Sequence, residues 1–318
     1  MKTQIATTLF AAALLAAGGC KKKDGGSPGP GPGGGWLVGE DGLMAAVLTS
    51  GTLGQGYDLE SDHDLLGIAC RGLDTAFVVG ELGTFLRTFD GGVSWEVIDL
   101  DTTRTLRSVA AADDAVYVAG DGLLLRSPDR GTTWAPLPVD PSASWSAVTA
   151  AHGGVALALG MSGAVWRHDS ASDSFTSVAS LAGARVVAMS HDGTHAVVAG
   201  AGRAILRSDD AGQTWRSIDL GRDVDLYDAW VTGAGETMAV GADGLMVRVS
   251  AADTIATSTI ATETLRTIHI NGRGVGLAAG DDGVVMHTAD GGATWTELPL
   301  GLDRDVFAVD EVAGDGHL

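Results

Sequence analysis

Short apolar runs that close on glycine recur along this chain, and a second glycine follows each after a short polar turn. The instances read WLVGEDG, VVGELG, YVAGDG, LALGMSG, VVAGAG, MAVGADG and LAAGDDG. Their first glycines are Gly39, Gly80, Gly120, Gly160, Gly200, Gly241 and Gly280, about 40 residues apart. Within a unit the apolar stretches are too short for helices, and turn residues separate them. The third unit shows the pattern: Leu106–Ala111, Val116–Gly120, Leu123–Ser127 and Thr133–Leu137 read as four successive strands. The middle strands are apolar on both faces, which suits a sheet sandwiched between two others. Seven units of four strands predict an all-β, seven-bladed β-propeller with four-stranded antiparallel blades. The body opens at Trp36 with what reads as a second strand. It ends with Asp305–Val312, a first strand without a blade of its own, so pairing of that strand with the first blade is expected to close the ring.

Four units share an eight-residue turn between the third and fourth strands: TFDGGVSW, SPDRGTTW, SDDAGQTW and TADGGATW. In this Ser/Thr-x-Asp-x-Gly-x-Ser/Thr-Trp pattern the Asp accepts from backbone N–H groups across the turn. The Gly takes a backbone angle that other residues resist, and the Trp wedges into the adjoining seam. The residues concerned are Asp90, Gly92 and Trp95; Asp129, Gly131 and Trp134; Asp210, Gly212 and Trp215; and Asp290, Gly292 and Trp295. All are assigned to folding rather than to chemistry.

This turn is the Asp-box, or BNR repeat. With seven units, the body from Trp36 to Val312 resembles the photosystem II assembly and stability factor propellers. That resemblance implies a non-enzymatic, partner-binding protein with an arginine-rich patch on one face. Only Arg107, Arg185 and Arg266 correspond to such a patch here. Sialidases also carry Asp-boxes, so a glycan-cleaving or glycan-binding propeller is the alternative, and an adhesive or structural surface protein a further one. The sialidase reading lacks its arginine motif, since Arg71 and Arg87 before the first box sit in CRGL and FLRT. The three tyrosines, Tyr57, Tyr117 and Tyr227, offer no matched nucleophile. No catalytic residue is assigned.

The N-terminus reads as an address. A basic start, an apolar run from Leu9 to Ala17 and small residues before Cys20 make a secretory signal over 1–19. The ending Ala17-Gly18-Gly19-Cys20 resembles the bacterial lipobox, which implies lipidation of Cys20. Residues 20–35, with Lys21-Lys22-Lys23 and a Gly/Pro-rich stretch, then form a tether, and the propeller occupies 36–318. The resulting expectation is a lipid-anchored, monomeric protein of the bacterial cell envelope, periplasmic or surface-facing. Lysines after the lipidated Cys favour the outer membrane over the inner.

Charge narrows the partners. The chain has 20 Lys plus Arg against 40 Asp plus Glu, a formal net charge of -20, and all four lysines precede residue 24. So acidic a body repels nucleic acid. A body without lysine has no Walker-type phosphate loop and no Schiff-base amine. No cofactor is expected, and the scattered histidines form no metal motif. The densest acidic loop, Asp58 to Asp64, has no calcium-loop register.

Two periodic sets remain. Third strands carry Arg87, Arg126, Arg167, Arg207 and Arg248, with His287 in register, and these are expected to tie blades together. First strands line the central channel, and aligning LLGI, LRSV, WSAV, RVVA, LYDA, LRTI and VFAV gives a variable second position. It holds Leu66, Arg107, Ser146, Val186, Tyr227, Arg266 and Phe307, with Trp145 and Arg185 one place earlier. Arg107, Trp145, Arg185, Tyr227, Arg266 and Phe307 are the candidate protein- or peptide-binding face, because a mixture of arginine and aromatic residues suits recognition.

Overall fold

The computed structural model describes residues 21–22, 34–58, 63–113, 115–137, 143–169, 174–190 and 192–311. The expected signal peptide over 1–19, Cys20, the tether from 23 to 33, and Glu60 and Asp62 of the acidic loop lie outside them.

The described residues are almost wholly strands and turns. In chain order, β1 (Lys21–Lys22), β2 (Gly35–Gly39), β3 (Met44–Val47) and β4 (Leu53–Asp58) belong to the first sheet. The second contains β5 (Leu65–Arg71), β6 (Thr75–Gly80), β7 (Phe85–Thr88) and β8 (Glu96–Val97). The third contains β9 (Leu106–Ala112), β10 (Ala115–Gly120), β11 (Leu123–Ser127) and β12 (Ala135–Pro136). The fourth contains β13 (Trp145–Ala151), β14 (Val155–Gly160), β15 (Ala164–Asp169) and β16 (Ser174–Ser180). A six-stranded fifth sheet runs through β17 (Ala184–Met189), β18 (Ala196–Ser208), β19 (Arg216–Val231), β20 (Thr237–Gly241), β21 (Leu245–Val249) and β22 (Ile255–Thr259). The sixth holds β23 (Leu265–Ile270), β24 (Gly276–Gly280), β25 (Val285–Thr288) and β26 (Thr296–Glu297). The last strand, β27 (Val306–Glu311), returns to pair with β2 in the first sheet.

The expectation of seven blades is therefore corrected. Each blade being one continuous hydrogen-bonded sheet, the propeller has six, and the fifth and sixth sequence units share one of them. The cause lies in two uninterrupted strands. In the fifth unit the chain stays extended through Gly200 and Gly202, where the second unit breaks into a turn at Glu81–Gly83. β19 likewise runs on from the outer strand of one unit into the inner strand of the next. The bridging pairs Ala201↔Asp225 and Gly202↔Val224 then join the two units. Four sheets have four antiparallel strands. The first gains a fifth through Lys21–Lys22, which pair with Tyr57 and Asp58 at the outer edge.

The inner wall still carries one strand per unit. β5, β9, β13, β17, the second half of β19, β23 and β27 touch one another in that order, and β27 touches β5. Period-two alternation builds the core between sheets. On β2, Leu37 packs with Leu277, Ala279 and Val285 of the sixth sheet. Its neighbours Trp36 and Val38 pack the other way, against Leu65, Ile68, Val78 and Leu86 of the second.

Candidate functional site at the channel mouth

Every inner strand opens with the same irregularity. Leu65 pairs with Gly80 but Gly67 with Val79, leaving Leu66 as an extra residue. The same skip isolates Arg107, Ser146, Arg185, Tyr227, Arg266 and Phe307. Each is a β-bulge, a device that turns a side chain out of the ladder's alternation. All seven sit at one end of the ring, where inner strands begin. Each is partly exposed, whereas the residues just before them, such as Leu65, Leu106 and Leu226, are fully buried.

In six of the seven units the glycine that ends the second strand makes this geometry possible; at Gly160 an added Cβ would meet nothing closer than 3.6 Å. Gly241 is extended, with φ -166°, so any residue could adopt its backbone angle. The constraint is space: a Cβ there would stand 1.9 Å from the carbonyl oxygen of Asp225, at the start of the bulge. The equivalent distances are 2.3 Å at Gly120, to Thr105, and 1.9 Å at Gly280, to Thr264. The recurring glycine thus marks where the second strand slides beneath the bulge (close backbone approach, as expected of a glycine inside a strand).

Two members of the predicted face change place. Trp145 is 1% exposed, packed edge-on to Trp166 at 5.9 Å, and belongs to the core under the mouth. Val186, aligned by sequence with the variable position, is also buried. Ala184, not Arg185, pairs with Gly200, which puts Arg185 in the bulge itself.

Four of the bulge residues form a stacked arc. The Arg185 guanidinium lies 4.6 Å from the Tyr227 ring centre, and Arg266 lies 5.9 Å from Tyr227 and 5.6 Å from Phe307. Each arginine also has a carboxylate partner. Arg107 Nε donates to Asp121 at 2.9 Å, Arg185 pairs with Asp225 at 3.2 Å, and Arg266 with Asp281 and Asp305. Stacking and pairing fix the guanidinium planes while leaving the aromatic edges partly open. The other side of the mouth is simpler: Leu66 and Ser146 stand in the ring, and Leu82 and Met161 project from nearby turns at 46% and 57% exposure. Leu82 has a left-handed backbone, φ 52°, where Asp41, Asp243 and Asp282 occupy the matching turns. Sequence reasoning missed Leu82, though a leucine among aspartates at that turn was a readable signal.

The Asp-boxes lie at the opposite end of the sheets, since third strands run away from the mouth. In the box of Asp210, Oδ1 accepts from Ser208 Oγ at 2.8 Å and Thr214 N at 2.8 Å, and Oδ2 accepts from Thr214 Oγ1 at 2.6 Å. Asp90, Asp129 and Asp290 repeat this arrangement. The hydroxyl and amide donors hold the Asp129 and Asp290 carboxyls down at about 2. Trp134, Trp215 and Trp295 each donate Nε1 to the box glycine carbonyl, at 3.2, 3.1 and 3.2 Å. The third-strand arginines latch neighbouring units. Arg87 donates to Gly131 O at 2.8 Å, Arg167 to Ala211 O at 2.8 Å, and Arg248 to Gly292 O at 2.9 Å, each in the next unit's box. Arg207 does the same to Ser250 O at 2.9 Å, where the sixth unit's box is degenerate. There Asp209 and Asp253 bridge Arg207 to Arg216 and complete the joint.

Among the described residues, no group of three or more His, Cys, Asp or Glu side chains is arranged to hold a metal ion, and no helix is long and apolar enough to cross a membrane.

Comparison with known proteins places this geometry. A model of the photosynthesis system II assembly factor YCF48 matches residues 50–185. The chain is a BNR-type propeller that resembles this assembly factor. The matched stretch contains the boxes of Asp90 and Asp129 and the bulge residues Leu66, Arg107, Ser146 and Arg185, while Tyr227, Arg266 and Phe307 lie beyond it. No curated protein sequence matches the chain. Among solved structures, YCF48 bound to a D1 peptide superposes with TM-score 0.60 at 21% identity, covering 73% of this chain and 81% of that one. YCF48 from Cyanidioschyzon merolae gives 0.61 at 18%, covering 76% and 87%. The WD40 propeller domain of Doa1 gives 0.64 at 15%, covering 79% and 87%. At these identities the superpositions speak for the fold.

Proposed function

We propose that this protein is a non-enzymatic propeller that binds a protein or peptide segment at its channel mouth. A lipid on Cys20 holds it at the bacterial cell envelope, more readily the outer membrane than the inner. The observation that carries the binding reading is the bulge ring. One structural device presents seven side chains at one mouth, yet their identities differ from unit to unit, whereas the glycines and apolar residues that build the device hardly vary. Positions that serve the fold repeat; positions free of the fold and aimed at solvent diverge. Two superposable structures hold polypeptide ligands, the D1 peptide on YCF48 and the N-terminus of ribosomal protein L10 on Sqt1 of Chaetomium thermophilum. The AGGC ending after an apolar run supports the anchor.

Peptide display against the detergent-solubilised full chain tests the reading. Selected peptides are expected to lose tenfold or more in affinity, about 1.4 kcal/mol, against Tyr227→Ala/Phe307→Ala. The exposed outer-strand variant Ser258→Ala is expected to bind them unchanged. Equal binding to both variants overturns the mouth as the site. In a parallel fractionation, Cys20→Ser is expected to leave the membrane pellet, and retention there overturns the anchor.

A further inference from the structure

The closing strand spans the wall of the channel. Near one end, Phe307 stands in the mouth. At the other end the strand finishes in two adjacent acids, Asp310 and Glu311, and Glu311 is only 3% exposed. Two neighbouring inner strands converge on this pair, and a third, β19, backs His269. From β5, the Cys70 N–H donates to Asp310 Oδ2 at 2.6 Å. From β23, His269 Nδ1 contacts Asp310 Oδ1. Just past β23, Asn271 Nδ2 donates to Glu311 Oε2 at 2.6 Å. From β19, Trp230 lies against the His269 ring at 4.4 Å. Asp228 of that strand accepts the Ile268 N–H at 2.9 Å and its neighbour Ala229 N–H at 2.8 Å.

The geometry at His269 is two-valued. Its Nδ1 faces the Asp310 carboxylate, which needs a proton on that nitrogen. The same atom lies 2.8 Å from the Glu311 backbone N–H, which can use either that lone pair or Asp310 Oδ1, also at 2.8 Å. One nitrogen cannot serve both. With the ring protonated, His269 binds Asp310 and offsets its charge. With the ring neutral, Nδ1 either keeps its hydrogen for Asp310 or, bare, accepts the Glu311 N–H; in both cases the positive charge is gone and two buried carboxyl groups share one junction. Among the groups acting on Glu311, His269 is the sole cation.

We propose that this junction is a proton-operated clasp: it holds the ring-closing strand, and with it Phe307 in the mouth, while His269 and Glu311 carry their protons, and loosens as those protons leave. The link to Phe307 rests on the mouth being the binding surface; the clasp does not.

Burial, helped by the Asp310 charge, raises the Glu311 carboxyl to about 8, and burial raises Asp228 to about 6. Burial alone would lower His269, but the Asp310 and Glu311 charges outweigh it and raise it. Burial and the same two acids raise the Cys70 thiol. All these shifts favour the protonated form in the folded state. Each acid therefore starts to cost stability once pH passes its ordinary value, and the cost grows until its folded value is reached. His269 contributes stability below its ordinary value and loses it as pH rises through the raised one. The signs agree, so the clasp is firm near pH 6 and weak above pH 8.

Hydrogen exchange of the full chain, read by mass spectrometry at about pH 6 and about pH 8.5 and corrected for intrinsic rate, reports on the clasp. Amides of Val306–Glu311 are expected to lose protection by about tenfold or more at the higher pH, while β9–β12 keep theirs. In Glu311→Gln, which keeps an oxygen for Asn271 and removes the charge, protection at pH 8.5 is expected to return. Equal protection of β27 at both pH values overturns the proposal, as does a loss spread evenly over all sheets. The wild-type comparison stands even if the variant does not fold. Loss of the pH response together with intact peptide binding would sink the clasp and spare the mouth; the converse would spare the clasp.

Discussion

Replacing Gly241 with alanine is expected to destabilise the propeller by about 3 kcal/mol, at the upper end of what overpacking costs. The backbone angle is no obstacle, because the residue is extended. The obstacle is the Asp225 carbonyl, 1.9 Å from where the new carbon would stand, with the Leu226 Cα at 3.1 Å. Neither atom can swing aside like the end of a side chain. β19 or β20 must move, and Tyr227 moves with them. In a domain of this size the cost corresponds to a melting temperature lower by about 6–12 °C. Gly160 is the internal control. It ends the second strand of its own unit, but its nearest neighbours would lie 3.6 Å from an added carbon, at ordinary contact distance. Gly160→Ala is expected to leave the melting temperature unchanged or slightly raised, because alanine restricts the unfolded chain more than glycine does. Thermal melts of the two variants side by side check the argument. Equal losses would mean that the glycines matter through backbone freedom and not through space.

Truncating Trp36 to alanine is expected to cost about 3–5 kcal/mol. The ring is 1% exposed. It meets Trp95 edge to face at 5.5 Å and 89°. It also fills the space under the second unit's box so closely that a Cβ on Gly92 would fall 2.2 Å from it. Trp36 therefore joins the first sheet, where β2 pairs with the closing strand β27, to the second. Urea unfolding at fixed pH checks the figure, and Trp36→Phe, which keeps most of the apolar volume, is expected to recover more than half of the loss. A cost under about 1 kcal/mol for the alanine variant would show that the seam collapses around the gap.

The first prediction comes from a residue that was legible in the sequence, since the glycine period announces itself by repetition; Trp36 belongs to no box and read only as the opening of a second strand. The blade count was not legible. It depends on whether the backbone breaks at Gly200–Arg203 and again near Gly221, and two extended strands there carry hydrogen bonds across what the repeat pattern marks as a boundary. The register of the fifth unit was hidden for a different reason. Gly80, Gly160, Gly241 and Gly280 pair with Leu65, Trp145, Leu226 and Leu265, each the same distance back along the chain. Gly200 pairs with Ala184, one residue further back. A longer hairpin between β17 and β18 absorbs the difference, so counting back from the glycine lands on Arg185 and displaces the bulge by one. Trp145 misled through composition: an aromatic residue near a variable position looks like a contact residue, and only burial shows it to be core.

The clasp was invisible to sequence reasoning on physical grounds. Cys70, Asp228, His269 and Asp310 come from four inner strands and are brought together by the packing of neighbouring units and, for Cys70, by ring closure, which no local sequence motif announces. The Asp-boxes are the opposite case. All their donors and acceptors fall within eight residues, so the local sequence contains the whole hydrogen-bond set.

On the function proposed above, a ring of bulges turns one mouth of the propeller into a binding surface for a polypeptide. Site-specific photo-crosslinking in cells tests it most directly, with the reactive residue placed at Ser146 and Phe307 in the mouth and at Ser258 on the exposed outer strand β22. Both mouth positions are expected to give the same discrete polypeptide adduct, and position 258 none. Adducts from position 258 alone, or none from either mouth position, would contradict that function.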